Sequence, residues 1–204
     1  MSKKNIFNKL LIIIALLTIS FESSKAQSDS SKSNSKHKIG FVSGVGFQKL
    51  LGVDLGHNYK VNQYLAQYYY TLKRNTTWDW EIIVQPQYNA SRFKLTDTSK
   101  TEIKAFEFGA NAGILIRKHI IKNTLSAYAF LSSGPHYVSD VPPRQAKGFI
   151  FSDNLFGGLN LKVFKSIFLD LRFGIRHISN ANLKSPNGGV NTFAVNGGIV
   201  INLP

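Results

Sequence analysis

The chain has 204 residues, with 25 lysines and arginines against 11 aspartates and glutamates, and it contains no cysteine. The lack of cysteine excludes a disulfide framework, a thiolate zinc site and a cysteine-anchored lipoprotein. The formal charge of +14 fits an anionic partner, and it fits equally a basic surface that only keeps the protein soluble. For an exported chain, membrane headgroups and lipopolysaccharide phosphates suit that charge better than nucleic acid, which we do not expect as a partner.

The first 26 residues have the pattern of a secretory signal peptide. Lysines precede an apolar run from Leu10 to Phe21, and Ser24-Lys25-Ala26 resembles a cleavage site. That run is short for a membrane-spanning helix, and no later segment approaches the ~18 consecutive apolar residues that one needs. Residues 27–38 are polar and of low complexity, which predicts a flexible leader. The folded domain is then expected over residues 39–204.

Alternation of apolar and polar residues dominates the chain from Ile39 onward. The clearest example lies between Trp78 and Ala90, where apolar residues at even positions alternate with polar residues at odd positions. The alternation predicts eight strands, over 39–47, 61–73, 78–90, 106–117, 124–133, 149–163, 166–179 and 192–203. Pro86 removes a backbone donor inside the third strand, which predicts a local bulge there.

Two architectures fit eight alternating strands: a soluble barrel or sandwich with the apolar face inward, and a membrane barrel with that face outward. The polar face favours the second, since it combines small and mutually pairable groups that could fill a narrow lumen. These are Glu81, Glu107, Asp170, Arg172 and Arg176 beside Gly109, Gly113 and Gly174. With the signal peptide, this predicts an all-β, eight-stranded antiparallel transmembrane β-barrel of the outer-membrane type. Such a barrel is too narrow for a water-filled pore.

Two polar residues stand on the apolar face of the seventh strand. Counting in twos from Ile167 passes through four more apolar residues and then reaches His177 and Ser179. On the outside of a membrane barrel, near the outer end of an outward-running strand, only a lipid could reach them. A serine beside an imidazole is suited to acyl transfer. The alternative is that both residues merely end a strand as it enters a loop.

The segment "RHISNANLKSPNGGVN" resembles the signature of the PagL-type lipid A deacylases, outer-membrane enzymes that remove the 3-O-linked acyl chain of lipid A. The resemblance is close over residues 149–203 and implies that His177 is the base and Ser179 the nucleophile. It also implies that Asn180 and Asn187 lie in the active site, where a side-chain amide could donate to the oxyanion. The family's acidic triad residue falls on Asn191, which can orient an imidazole but carries no charge.

Because Asn191 carries no negative charge, a second hypothesis concerns which residue supplies the charge of the triad. Centring the hairpin between the sixth and seventh strands on Lys165 places Asp153 opposite His177, and a loop centred near Lys184 places Asn191 on the other side of His177. Directly opposed Cβ atoms lie about 4.5 to 5.5 Å apart. Asp153 would then supply or share the charge of the triad while Asn191 fixes the ring. The alternative is that Asp153 lies in a turn and that the register is slipped.

The sequence therefore predicts an outer-membrane serine esterase that removes an ester-linked acyl chain from lipid A. A catalytically silent barrel that binds lipopolysaccharide or is structural is the second interpretation, and a soluble secreted barrel for an apolar ligand is the third. No cofactor or metal is expected, since His57, His119 and His136 lie among loop-like residues without a second ligand at metal spacing. A homodimer is compatible with the sequence.

Overall fold

The computed structural model describes residues 35–48, 58–96 and 98–204. The predicted signal peptide, most of the predicted leader and His57 lie outside these residues. The strands are β1 (His37–Phe47), β2 (Lys60–Arg74), β3 (Trp78–Phe93), β4 (Ile103–Ile121), β5 (Leu125–Val138), β6 (Gly148–Phe164), β7 (Ile167–Ser179) and β8 (Val190–Asn202). In the described residues no helix is long and apolar enough to cross a membrane.

The eight strands form a closed barrel in sequence order, and β1 pairs with β8 to complete the ring. Every neighbouring pair is antiparallel. Short turns at 75–77, 122–124 and 165–166 define one end, here called the inner end. Longer connections at 94–102, 139–147 and 180–189 define the outer end. Outer-membrane barrels keep short turns in the periplasm and longer loops outside, so the two ends have a clear orientation.

The alternation places a largely apolar face outside and most polar side chains inside, where two clusters of buried apolar residues, one around Tyr59 and Ile150 and one around Ile83 and Leu115, also lie. Leu171 and Phe173 are more than half exposed on the exterior, whereas Arg172 and Arg176 of the same strand are buried in the lumen. Opposite charges pair there: Glu81 with Lys38 and Arg117, and Asp170 with Arg172. An apolar exterior around an interior that contains buried ion pairs is the arrangement of a membrane barrel. The soluble barrel with an apolar core is therefore wrong.

The predicted bulge at Pro86 is also wrong. Leu65 pairs with Gln87 and Tyr68 with Val84, so the register between β2 and β3 is unchanged across the proline. The two intervening pairs are absent from the ladder, which is how the sheet accommodates a residue without an N–H. The irregularity between these strands lies instead between Thr71 and Lys73.

Two histidines predicted in loops lie in strands. His119 belongs to β4, where its Nε2 lies 3.2 Å from Asp79 Oδ2, and His136 belongs to β5, where it is buried in the lumen. Gly134 and Pro135, which precede His136, are residue types typical of loops. Gly134 is instead required by close strand packing, since a Cβ atom there would clash with the Ala110 carbonyl oxygen.

Candidate active site

A row of four polar side chains crosses the apolar exterior of the barrel near its outer end. Ser133 pairs with Asp153, Asp153 with His177, and His177 with Asn191, on β5, β6, β7 and β8. We call these four residues the polar row. Apart from Ser179, the residues that flank them along the strands on the same face are not polar, for example Leu155 and Ile175. The counted register is confirmed on both sides of His177.

Asn191 orients the ring of His177. The Nδ1 atom of His177 lies 2.6 Å from Oδ1 of Asn191. An amide oxygen can only accept, so Nδ1 carries the proton and Nε2 keeps a free lone pair. In the described part of the chain no hydrogen bond engages Nε2. The imidazole is thereby held in the tautomer that a general base needs.

Asp153 lies on the other side of His177, and its carboxylate is held by Ser133. The Ser133 hydroxyl donates to Oδ1 of Asp153 at 2.5 Å. Asp153 faces outward and pairs directly with His177, which excludes the slipped register and the turn. Asp153 forms no hydrogen bond with the imidazole among the described residues. Its part in catalysis stays a prediction.

Ser179 is the last residue of β7 and lies on the same face as His177. It pairs with Phe151 and is half-buried. Alternate residues of a strand are roughly 6 to 7 Å apart at their Cα atoms, which allows the two side chains to meet in suitable rotamers. No hydrogen bond in the described residues engages the hydroxyl, and hydrogen bonds of catalytic groups are often formed only in the substrate complex.

In the loop that follows Ser179, the two asparagines predicted in the active site, Asn180 and Asn187, make different hydrogen bonds. The backbone N–H of Asn180 donates to Oδ1 of Asn187 at 2.9 Å, so the Nδ2 of Asn187 remains available as a donor. Asn180 itself is 2 % exposed, and its Nδ2 donates to the Lys184 carbonyl oxygen at 2.6 Å. Asn180 thus ties the loop together, while the half-buried Asn187 presents a free amide.

The same loop is fixed to the connection between β5 and β6. The N–H of Gly188 donates to the Arg144 carbonyl at 2.7 Å, and the Arg144 guanidinium donates back to the Gly188 carbonyl at 2.6 Å. The N–H of Gly189 donates to Oε1 of the buried Gln145 at 3.0 Å. These bonds hold the two residues that follow Asn187, and Asn187 itself pairs with Gln145 in an isolated bridge.

Gly189 makes room for the histidine ring. Its φ is +62°, and a Cβ atom there would lie 2.5 Å from Cε1 and 3.2 Å from Nε2 of His177. A side chain would therefore strain the backbone and displace the imidazole. Sequence reasoning missed Gly189, Gln145 and Ser133. The Gly-Gly pair after Pro186-Asn187 was the one available signal, since glycine favours positive φ.

The chemistry of the site is that of hydroxyl, imidazole, amide and carboxylate groups. Among the described residues no cluster of three histidines, cysteines or acids could hold a metal ion. The arrangement provides a free hydroxyl, a base with a fixed tautomer, an amide donor and a nearby negative charge. Together they suit acyl transfer to or from an ester that reaches the outer face of the barrel.

Known proteins resemble this chain in sequence and in fold. The family model described as "Lipid A 3-O-deacylase (PagL)" matches residues 52–199. A search of curated proteins finds no match. The structure titled "Crystal structure of the outer membrane enzyme PagL" is similar, with a TM-score of 0.58 and 11% sequence identity over 81% of this chain and 99% of that chain. The family match covers most of the chain and includes every predicted site residue. The family predicted from the motif is thus confirmed, and the chain belongs to the lipid A 3-O-deacylase (PagL) family.

Proposed function

We propose that this chain hydrolyses the 3-O-linked acyl ester of lipid A at the outer end of the barrel, with Ser179 as nucleophile and His177 as general base. The observation that carries the proposal is the bond from His177 Nδ1 to Asn191 Oδ1, which leaves Nε2 free on the face that also carries Ser179. On the inner side of the polar row this face is apolar, with Leu131, Leu155 and Ile175 exposed on it. The acyl chains of a lipid can lie against it while the ester reaches the hydroxyl.

Acylation begins when Ser179 Oγ attacks the ester carbonyl carbon and its proton passes to Nε2 of His177. The carbonyl π electrons move to the oxygen, and the resulting oxyanion accepts a hydrogen bond from Nδ2 of Asn187. Collapse of the tetrahedral intermediate breaks the bond between the carbonyl carbon and the lipid A oxygen. His177 returns the proton to that oxygen, which leaves as a hydroxyl group.

Deacylation repeats these steps with water. Nε2 of His177 takes a proton from a water molecule, whose oxygen attacks the acyl-Ser179 carbonyl. Collapse breaks the bond to Ser179 Oγ, which recovers its proton from His177. The products are a free fatty acid and a lipid A with one acyl chain fewer.

Asp153 is proposed to stabilise the imidazolium that forms in both halves of the reaction. Asn191 holds Nδ1 but has no charge to offset that of the protonated ring. Asp153, directly opposite on β6, carries this charge, and Ser133 keeps its carboxylate in place. At an effective dielectric constant of about 20, two charges about 5 Å apart attract by roughly 3 kcal/mol. A triad acid normally both orients the imidazole and stabilises its positive charge. Here Asn191 is proposed to do the first and Asp153 the second.

Export by the N-terminal signal peptide completes the proposal. Residues 1–26 have the basic start, apolar run and small-residue site that direct secretion, and an outer-membrane barrel must first cross the inner membrane. N-terminal sequencing of the mature chain tests this point. A start near Gln27 is expected, and retention of Met1 would contradict it.

Mass spectrometry of lipid A tests the proposed activity. Cells of a Gram-negative host that express the wild-type chain should lose one ester-linked acyl chain from lipid A, and Ser179→Ala should abolish this loss. Ser43→Ala is the matched control, since Ser43 is an outward-facing serine on β1, away from the polar row. Unmodified lipid A with the wild-type chain correctly inserted would favour the catalytically silent barrel instead.

A further inference from the structure

Three cations lie side by side on the outside of the barrel, on the wall opposite the polar row. Lys60 of β2 pairs with Arg92 of β3, and Arg92 pairs with Lys104 of β4. Their strand neighbours point into the interior, since Val61, Ser91 and Ala105 are buried. We call Lys60, Arg92 and Lys104 the cationic row. In the ring of eight strands β3 lies opposite β7, so this row and His177 are on opposite walls.

The row is electrostatically unfavourable without an anion. Like charges directly opposite each other on neighbouring strands destabilise a sheet. Glu102 lies 3.9 Å from Arg92, but both side chains are largely exposed, and such a pair contributes little. In the described residues neither Lys60 nor Lys104 forms an ion pair. The positive charge of the cationic row is therefore largely unneutralised and available to bind an anionic ligand.

The cationic row lies closer to the outer end of the barrel than a band of aromatic residues on the same three strands. Four residues further toward the inner end, Tyr64 pairs with Tyr88 and Tyr88 with Phe108, and the rings of the two tyrosines lie 6.5 Å apart. Four residues span about 13 Å along a strand. Aromatic girdles mark the boundary between hydrocarbon and headgroups. The three cations consequently lie at the level of the headgroups of the outer leaflet.

We propose that the cationic row binds the phosphate groups of a second lipid A molecule, separate from the one that reaches Ser179. Arginine and lysine are the usual phosphate ligands, since a guanidinium offers paired donors and an ammonium a compact charge. The acyl chains of that lipid would lie along the aromatic band and the apolar wall beneath it. This site requires binding only, and so it goes beyond the proposed esterase function.

Native mass spectrometry of the detergent-solubilised full chain tests this proposal. Ser179→Ala serves as the parent so that bound lipid A is not hydrolysed. The parent is expected to take up two lipid A molecules. Lys60→Gln with Lys104→Gln should weaken the second binding event by about tenfold or more, since each cation near an anionic lipid surface contributes about fivefold. Heat-dependent electrophoretic mobility confirms that each variant is a folded barrel.

The matched control removes two cations from the inner end. Lys73 lies near the inner end of β2 and Lys122 follows β4, so Lys73→Gln with Lys122→Gln makes the same change of charge at the wrong level of the membrane. This control should still bind two molecules. Equal loss in both double variants, or no loss in either, would overturn the proposal.

Three further ligands identify the chemistry that is recognised. Lipid A without phosphate groups is expected to bind only once. Binding of two such molecules would show that the acyl chains, not the phosphates, are recognised, and would overturn the proposal. So would an equally strong second binding of phosphatidylglycerol, or full displacement by millimolar inorganic phosphate. The experiment measures how many lipid A molecules bind and needs no ester hydrolysis. Its result can therefore be interpreted even if the proposed esterase function is wrong.

Discussion

Two histidines of the barrel differ in almost every respect that matters for catalysis. His136 lies in the lumen, with Nδ1 bonded to the carboxylate of Glu107, and its Nε2 lies 3.0 Å from Gln87 and 3.1 Å from Asn111. His177 lies on the exterior, with Nδ1 bonded to an amide and Nε2 free. The pair that looks more like a catalytic dyad is thus the one that no substrate can reach.

The comparison separates the structural from the reactive use of the same side chain. Glu107 also accepts from Arg176, whose Nε donates to Ser152 at 3.0 Å, so His136 is one member of a network that fills the lumen. A buried polar network is favourable when its members are bonded, and both ring nitrogens of His136 are engaged in this one. His177 keeps one ring nitrogen unpaired beside a free hydroxyl. Exposure to the outside of the barrel and an unused lone pair, more than a carboxylate partner, distinguish the proposed catalytic histidine from the buried one.

The largest expected effect separates these two histidines directly. His177→Ala should lower the rate of lipid A deacylation by about 10²- to 10⁴-fold, the usual contribution of a general base. His136→Ala should leave the rate per folded barrel unchanged while lowering the midpoint of thermal unfolding, since it breaks the lumen network. Rates measured in detergent on purified, folded protein distinguish the two. A comparable loss of rate in both variants would contradict the assignment of roles.

Asn187→Ala should have the next largest effect. Loss of an oxyanion donor costs about 10² to 10³ in kcat. Asn182→Gly is the control in the same loop, at a position whose φ of +63° glycine adopts without strain. The control should keep its activity. A near-normal kcat for Asn187→Ala would show that Asn187 does not donate to the oxyanion and only belongs to the loop.

Gly189→Ala tests the space beside His177. The added methyl group would crowd the ring, and a misplacement of about 1 Å can cost about 10²-fold in rate. Gly148 offers a matched control, since its φ is +104° but no atom lies within 4 Å of the position that a Cβ atom would take. Both variants should lose stability, and only Gly189→Ala should lose kcat. Equal kcat losses would assign the effect to backbone strain.

The smallest expected effects concern the divided triad acid. Asp153→Asn should lower kcat by roughly 10- to 100-fold, because it removes the charge that stabilises the imidazolium. Asn191→Ala should cost less, about fivefold, since it removes one neutral hydrogen bond of about 1 kcal/mol. Steady-state kinetics on the two variants give the order. A larger loss of kcat in Asn191→Ala than in Asp153→Asn would assign the role of the triad acid to Asn191 alone.

The fold was predictable because alternation survives to the end of most strands. The positions of Asp153 and Asn191 beside His177 followed from counting across two hairpins, and the structure has the same pairs. His136 was misplaced since Gly134 and Pro135 resemble a turn, and only the close approach of β4 explains that glycine. Ser133 and Gln145 could not be found from the sequence, because their partners are set by strands and loops distant along the chain.

The most direct test of the account is covalent labelling of the nucleophile. A lipophilic fluorophosphonate reacts only with a serine that a base has activated, and peptide mass spectrometry locates the adduct. The account predicts a single adduct on Ser179 that persists in His136→Ala and disappears in His177→Ala. An adduct on another residue, or undiminished labelling of Ser179 in His177→Ala, would contradict it.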